Sequence, residues 1–195
     1  MFAYIEGILI EKNPTYAVID CGGVGYMLHI SLNTFSKLQQ ESQKCKLFTH
    51  LQIKEDAHTL YGFSSEDERV LFRMLIAVSG IGASTAQMML SAMSASELMS
   101  CIASGNSGAL QSIKGIGAKT AQRVVIELQD KIHKTGISIG KTDISNHNIR
   151  NEAISALVLL GFARQTAEKA IDKVLKTSNG DISIENLIKE SLKIL

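Results

Sequence analysis

The chain has 195 residues, 45% apolar and 20% charged, with 20 Lys and Arg against 19 Asp and Glu. This is the composition of a globular protein with real hydrophobic cores, in one large domain or two to three small ones. No segment is strongly basic: five basic residues face six acidic in 1–62, seven face six in 63–136, and eight face seven in 137–195. Any grip on nucleic acid must therefore come from local placement and from several copies acting together.

Cys21, Cys45 and Cys101 are odd in number and lack metal-ligand spacing, which predicts reduced thiols and no metal site. No apolar run approaches membrane-spanning length, and Glu6 interrupts the N-terminus before a signal-peptide core could form. The expectation is a soluble, cytoplasmic protein with no membrane partner and no cofactor.

Residues 1–63 read as β. Phe2 to Lys12 is a long apolar-rich run interrupted by Gly7, the pattern of a bent strand. Asn13 and Pro14 make a turn, and Tyr16 to Asp20 and Gly25 to Ile30 read as strands around Cys21, Gly22, Gly23 and Val24. A short helix over Thr34 to Gln40 follows. Lys46 to Lys54 and Ala57 to Phe63 then pair as a hairpin with Glu55 and Asp56 at its tip. Five short strands and one small helix predict a partly open Greek-key barrel of the OB type. The acidic tip is ordinary for a solvated turn; beside a DNA-binding module it would repel phosphates and hold strands apart.

Residues 64–133 read as helical. Ser64, Ser65, Glu66, Asp67 and Glu68 form an N-terminal cap with acidic first-turn residues, where the helix dipole favours negative charge. Leu71, Phe72, Leu75, Ile76 and Val78 give one apolar face. Ser94 and Glu97 have capping-box spacing, and Asn106, Ser107 and Gly108 open the approach to a further helix. Met88, Met89, Met93 and Met99 read as core filler.

One stretch in this segment occurs twice. Leu75, Val78, Gly80, Ile81, Gly82, Thr85, Ala86 and Gln87 recur, 35 positions on, as Leu110, Ile113, Gly115, Ile116, Gly117, Thr120, Ala121 and Gln122. Each copy reads as a helix ending at the first glycine and a second helix starting after the last. Gly115 can adopt the positive φ that closes a helix, and Gly117 admits close backbone approach. Ile116 is too apolar for an exposed tip and is expected to plug the gap between the helices, with Ala121 small enough for a close crossing. The second helix then begins with unpaired N–H groups at the positive end of its dipole, a place that binds phosphate without reading a base. Lys119 and Arg123, at i and i+4, stand on one face beside those amides.

Nucleotide motifs fit less well. Gly115 and Gly117 lack a surrounding βαβ unit. Ala118, Lys119 and Thr120 miss the glycine that a phosphate loop needs. Gly140, Lys141 and Thr142 come nearer, but the upstream glycine would have to replace Thr135, Gly136 being one residue late. Two hairpins that merely pack on each other would explain the glycines and alanines, but not Lys119 and Arg123 beside the second turn.

Lys134 to Asn148 changes to Gly, Ser, Thr, Asn and Asp without aromatics, a flexible linker with solvent-facing His133 and His147 at or near its ends. Residues 149–195 read as three helices: Ala153 to Leu160, Gln165 to Lys176, and Ser183 to Leu195, the last with Ile184, Leu187, Ile188 and Leu192 on one face. So small a core is marginal by itself, and its exposed apolar residues suit a protein partner.

The repeated turns resemble the tandem helix-hairpin-helix motif of non-sequence-specific DNA-binding proteins. Leu160, Gly161 and Phe162 between two helices resemble a ubiquitin-associated-type three-helix bundle. The whole chain resembles the RuvA family of Holliday-junction-binding proteins. Beyond the two turns, the stretches that carry this are Gly22 to Tyr26, Glu55 to Ala57 with Leu60 to Phe63, and Glu152 and Ala153 through Ala156 and Leu157 to Phe162.

The resemblance implies an α+β multi-domain protein: an OB-like β-barrel (1–63), a tandem helix-hairpin-helix domain (64–133), a flexible linker (134–148) and a three-helix module (149–195). It implies a homotetramer, in some members paired as an octamer, that holds a four-way junction open for branch migration in recombination and repair. Phosphate contacts would come from Gly80, Ile81, Gly82, Ser84, Gly115, Ile116, Gly117, Lys119, Thr120 and Arg123. Glu55 and Asp56 would separate strands at the crossover. Leu157, Leu160 and Phe162 would bind the RuvB ATPase motor, with the RuvC resolvase a further candidate partner. No residue would be catalytic, since ATP hydrolysis belongs to the motor. Ala83 and Ser84 stand where the family often has lysine, and Ala118 replaces a second basic residue before Lys119, so the first copy would rely on backbone amides. The rival is a helix-hairpin-helix repair enzyme: a glycosylase, for which Asp130 is the acid near the hairpin besides Glu127, or a nuclease, for which Glu55 and Asp56 are the paired carboxylates.

Overall fold

The computed structural model describes residues 2–135, 145–177 and 183–195. The chain divides into two compact units, Met1–His133 and Lys134–Leu195.

Five strands, β1 (Tyr4–Asn13), β2 (Tyr16–Asp20), β3 (Gly25–Ile30), β4 (Lys44–Ile53) and β5 (His58–Phe63), close into a barrel in the order β1-β2-β3-β5-β4. Neighbours are antiparallel except β3 and β5, which run parallel. Strand periodicity turns Ile5, Leu9, Ala17, Ile19, Leu28, Ile30 and Leu47 inward as the core. The bend expected at Gly7 is instead a register shift between Leu9 and Glu11. Gly7 has another role: a Cβ there would lie 2.1 Å from the Asp20 carbonyl oxygen, so only glycine lets β1 and β2 approach.

Helix α1 (Leu32–Lys37) begins and ends earlier than Thr34 to Gln40. Ser31, in extended conformation, caps it by accepting from the Thr34 N–H, and Leu38 is already extended again. Helix α2 (Glu66–Ile76) is capped by Ser65, which accepts from the Glu68 N–H. Glu66 and Asp67 play the expected first-turn role, but Glu68 turns inward and is 3% exposed. Its carboxylate accepts from Ser31 Oγ, Thr34 Oγ1 (2.7 Å), and both Oγ (3.1 Å) and N–H (3.2 Å) of Ser64. One buried side chain thus joins α1, the end of β5 and α2. Arg69 adds bonds to the carbonyls of Ala3 and Thr49, and Phe72 packs on Phe63 and Tyr61 with centroids 4.9 and 5.0 Å apart.

Helices α3 (Ala83–Ala92), α4 (Ala95–Ala103), α5 (Ser107–Gln111) and α6 (Ala118–Thr135) complete the unit. The Asn33 amide donates to the carbonyls of Leu90 and Met93, and the Leu32 N–H donates to Ser91 Oγ (3.1 Å), fixing α3 against α1. The Ser94–Glu97 capping box forms as expected at α4. Met89 and Met99 are core, but Met88 is 42% exposed and lies beside Gly115, on the side of α3 that faces the second repeat.

In the second unit, α7 (Ser145–Leu159), α8 (Arg164–Thr177) and α9 (Ile184–Leu192) pack through Ala153, Ile154, Leu157, Ala167, Ile171, Val174 and Leu187. Arg150 forks onto Asp172 at 2.7 and 3.0 Å, clamping α7 to α8. Helix α7 begins inside the stretch expected as linker; residues 136–144 lie outside the described residues, as do the side chains of His133 and His147. Among the described residues no helix is long and apolar enough to cross a membrane.

Replacing Glu68 with alanine leaves the hydroxyls of Ser31, Thr34 and Ser64 without their shared acceptor. The expected loss is about 3 kcal/mol in urea unfolding of the full chain. A loss below about 1 kcal/mol would mean the carboxylate is not the join described.

Candidate nucleic-acid interface

The two repeats fold into the same turn, hydrogen bond for hydrogen bond. In the first, the Val78 N–H donates to Leu75 O, Ile81 N–H to Val78 O, and Ala86 N–H to Gly82 O; in the second, Ile113 donates to Leu110, Ile116 to Ile113, and Ala121 to Gly117. Gly80 and Gly115 adopt φ of +90° and +88°, a region costly for any residue with a Cβ. Ile81 and Ile116 are each 5% exposed, plugging the helix pair as their apolarity predicts, so only their main chain can face a ligand.

Gly82 and Gly117 serve a different purpose. Gly82 is the N-cap of α3 and supplies no side-chain cap, leaving the first-turn amides of α3 to an outside partner. An added Cβ at either glycine would meet nothing within 4 Å. Neither is needed for packing, and both keep the approach to the helix start clear. Gly80, Gly82, Gly115 and Gly117 are all exposed. With the dipole of the 18-residue α6 behind the second turn, each site suits an anion.

Around these amides Ser84 and Lys119 are exposed and Thr120 is half-buried. Arg123 is exposed too, and it bridges: its Nη1 donates to the Ser79 carbonyl of the first turn at 3.2 Å. A side chain expected to serve only the second copy therefore holds the two turns together. No sequence signal announced this, because Ser79 and Arg123 lie far apart along the chain. Lys114, exposed on the second turn where the first has Ser79, is a further cation that the sequence reading passed over. Lys119 and Arg123 line one groove with Ile126 and Glu127.

Glu55 and Asp56 are exposed at the end of the β4–β5 hairpin, where the Lys54 N–H donates to Ala57 O at 2.8 Å. In the C-terminal unit the expected partner surface needs correction. Leu157 is fully buried because it faces α8 and α9, and Phe162 packs against the same core. Leu160 is exposed at 62%, and Leu159 beside it at 88%.

The two classes of glycine separate experimentally. Gly80→Ala and Gly115→Ala should each lower stability by about 1 kcal/mol or more through positive-φ strain. Gly82→Ala and Gly117→Ala should cost only about 0.5 kcal/mol yet weaken DNA binding, because the methyl group occupies the approach. Thermal melts paired with DNA titrations check both.

Three family models match along the chain: the RuvA N terminal domain over residues 1–62, the SAM-like helix-hairpin-helix tandem over 72–130, and the RuvA C-terminal domain over 148–195. Among similar curated proteins are those of Christiangramia forsetii at 49% identity, Flavobacterium psychrophilum at 48% and Bacteroides fragilis at 46%, each alignment covering all of both chains. Each of the three is named Holliday junction branch migration complex subunit RuvA. A barrel of this strand order, a doubled glycine-cornered turn and full-length identity near one half converge on one assignment: the chain belongs to the RuvA family.

Proposed function

We propose that the protein binds four-way DNA junctions by shape and serves as the non-catalytic DNA-binding subunit of a branch-migration complex in recombination and repair. The observation that carries this reading is the pair of open turns tied by Arg123, whose main-chain amides suit phosphates rather than base edges. Phosphate contacts position a duplex without selecting its sequence, so selectivity comes from the arrangement of arms.

A chain of net charge +1 reaches useful affinity when several copies engage one junction, each on its own arm. A homotetramer supplies that multiplicity, and Ile8, Ile10 and Met27, exposed on the outer face of the barrel, offer surface for copy-to-copy contact. Glu55 and Asp56 of the copies gather at the crossover and repel the exchanging strands. Leu159 and Leu160 dock the RuvB motor, which supplies ATP hydrolysis; the RuvC resolvase fits as a visitor to the same junction. The cytoplasm is the compartment this work requires.

A repair-enzyme reading is not favoured. Glu127 and Asp130 lie about 14 and 18 Å along α6 from its start, too far to serve a base at the turn. Among the described residues no group of three or more His, Cys, Asp or Glu could hold a metal ion.

In competition gel shifts at moderate salt, labelled four-way junction should resist displacement by linear duplex; equal affinity for the two would overturn the reading. Lys119→Ala should weaken binding across all sequences and reduce the salt slope by about 1. Glu55→Gln with Asp56→Asn should preserve or tighten junction binding while slowing motor-driven strand separation; a marked loss of binding would remove the repulsive role assigned to the tip.

A further inference from the structure

An aromatic ladder runs from the core of the first unit to its surface. Phe63, fully buried, packs on Phe72; Phe72 packs on Tyr61; Tyr61 packs on His29, with centroids 4.9, 5.0 and 5.9 Å apart. His29 is the exposed rung, and it lines a cleft of about 490 Å³ formed by the barrel together with α3. That volume is typical of sites for small organic ligands. Leu32 and Met88, 49% and 42% exposed, supply apolar walls. None of the lining residues is Asp, Glu, Lys or Arg. Gln87 braces the cleft: its Nε2 donates to the His29 carbonyl at 3.1 Å. Ser84, the second residue of α3, lines the same cleft, which therefore adjoins the amides of the first turn.

We propose that this cleft receives an unpaired nucleobase, stacked as the next rung on the outer face of His29. The inference rests on reading the first turn as a phosphate site, since that is what delivers a nucleotide to the cleft. Uncharged apolar walls suit the flat face of a base and not a phosphate. Stacking on an aromatic rung accepts any base, because every base has a π-face. An apolar side chain from a second copy would fit the walls as well, but the adjoining anion site favours a nucleotide. The arrangement gives an unpaired base a place to stack while its phosphate is held.

The test uses the monophosphate of 2-aminopurine deoxyriboside, whose fluorescence is quenched on stacking, titrated into the full-length protein. Saturable quenching is expected, displaced by dAMP and not by deoxyribose 5-phosphate. His29→Ala, which removes the rung, and Leu32→Trp, which fills the cleft, should each weaken it at least fivefold. Both variants should keep the wild-type melting temperature within a few degrees and bind fully paired four-way junction within twofold of wild type. Absence of quenching, equal displacement by deoxyribose 5-phosphate, or quenching that falls as the protein self-associates would overturn the proposal, the last by giving the cleft to a second copy. These results leave the junction reading standing. Failure of the wild-type protein to select junction over duplex would instead overturn that reading while the free-nucleotide result stands by itself.

Discussion

The architecture of the candidate interface depends on one backbone constraint, a positive φ at Gly80 and at Gly115. That conformation reverses the chain within one hydrogen-bonded turn, so that a helix starts immediately beyond the end of the last one. The isoleucine that follows is driven into the gap, and its burial closes the pair of helices from within. What remains outside is the least conspicuous part of the chain, a few main-chain amides beside a glycine without a side chain. Their chemistry is nonetheless specific: donors without acceptors at the positive end of a helix dipole.

Such a site acts only when it is held in place, and the first unit holds it by polar joins as well as by apolar packing. Glu68 gathers donors from α1, from the end of the barrel and from the start of α2. Asn33 and Leu32 then fasten α3 to α1. Each tie crosses from the barrel side to the hairpin side, so the first turn is fixed relative to the acidic β4–β5 tip within the same unit. Arg123 extends the order to the second turn through the Ser79 carbonyl.

Charge is arranged with similar economy. The chain is almost neutral, yet Lys114, Lys119 and Arg123 all belong to the second turn and the start of α6, while the first turn has no cation of its own. Recognition of a branched polyanion by such a surface depends on the number of weak sites engaged together, which makes it responsive to salt and to assembly. The carboxylates of Glu55 and Asp56 add repulsion at the end of the hairpin, which shapes the path of a strand without holding it.

Much of this was legible from the sequence because it is local. Strand alternation, the Ser94–Glu97 box, the doubled Gly-Ile-Gly and the apolar faces of α2 and α9 are set within a few residues, and local sterics and periodicity decide them. The tertiary structure decided what depends on distant partners. Glu68 looked like a dipole-matching surface acid until Ser31, Thr34 and Ser64 were brought around it. Leu157 and Leu160 lie three residues apart with the same apolar character, and only the packing of α8 and α9 put one in the core and the other in solvent. Arg123 and Ser79, and the ladder from Phe63 to His29, join residues that the chain keeps apart. Sequence thus set the shape of each turn, since φ and burial are properties of a short segment. Which face the turns share and what lies beside them were fixed by long-range contacts that no local pattern encodes.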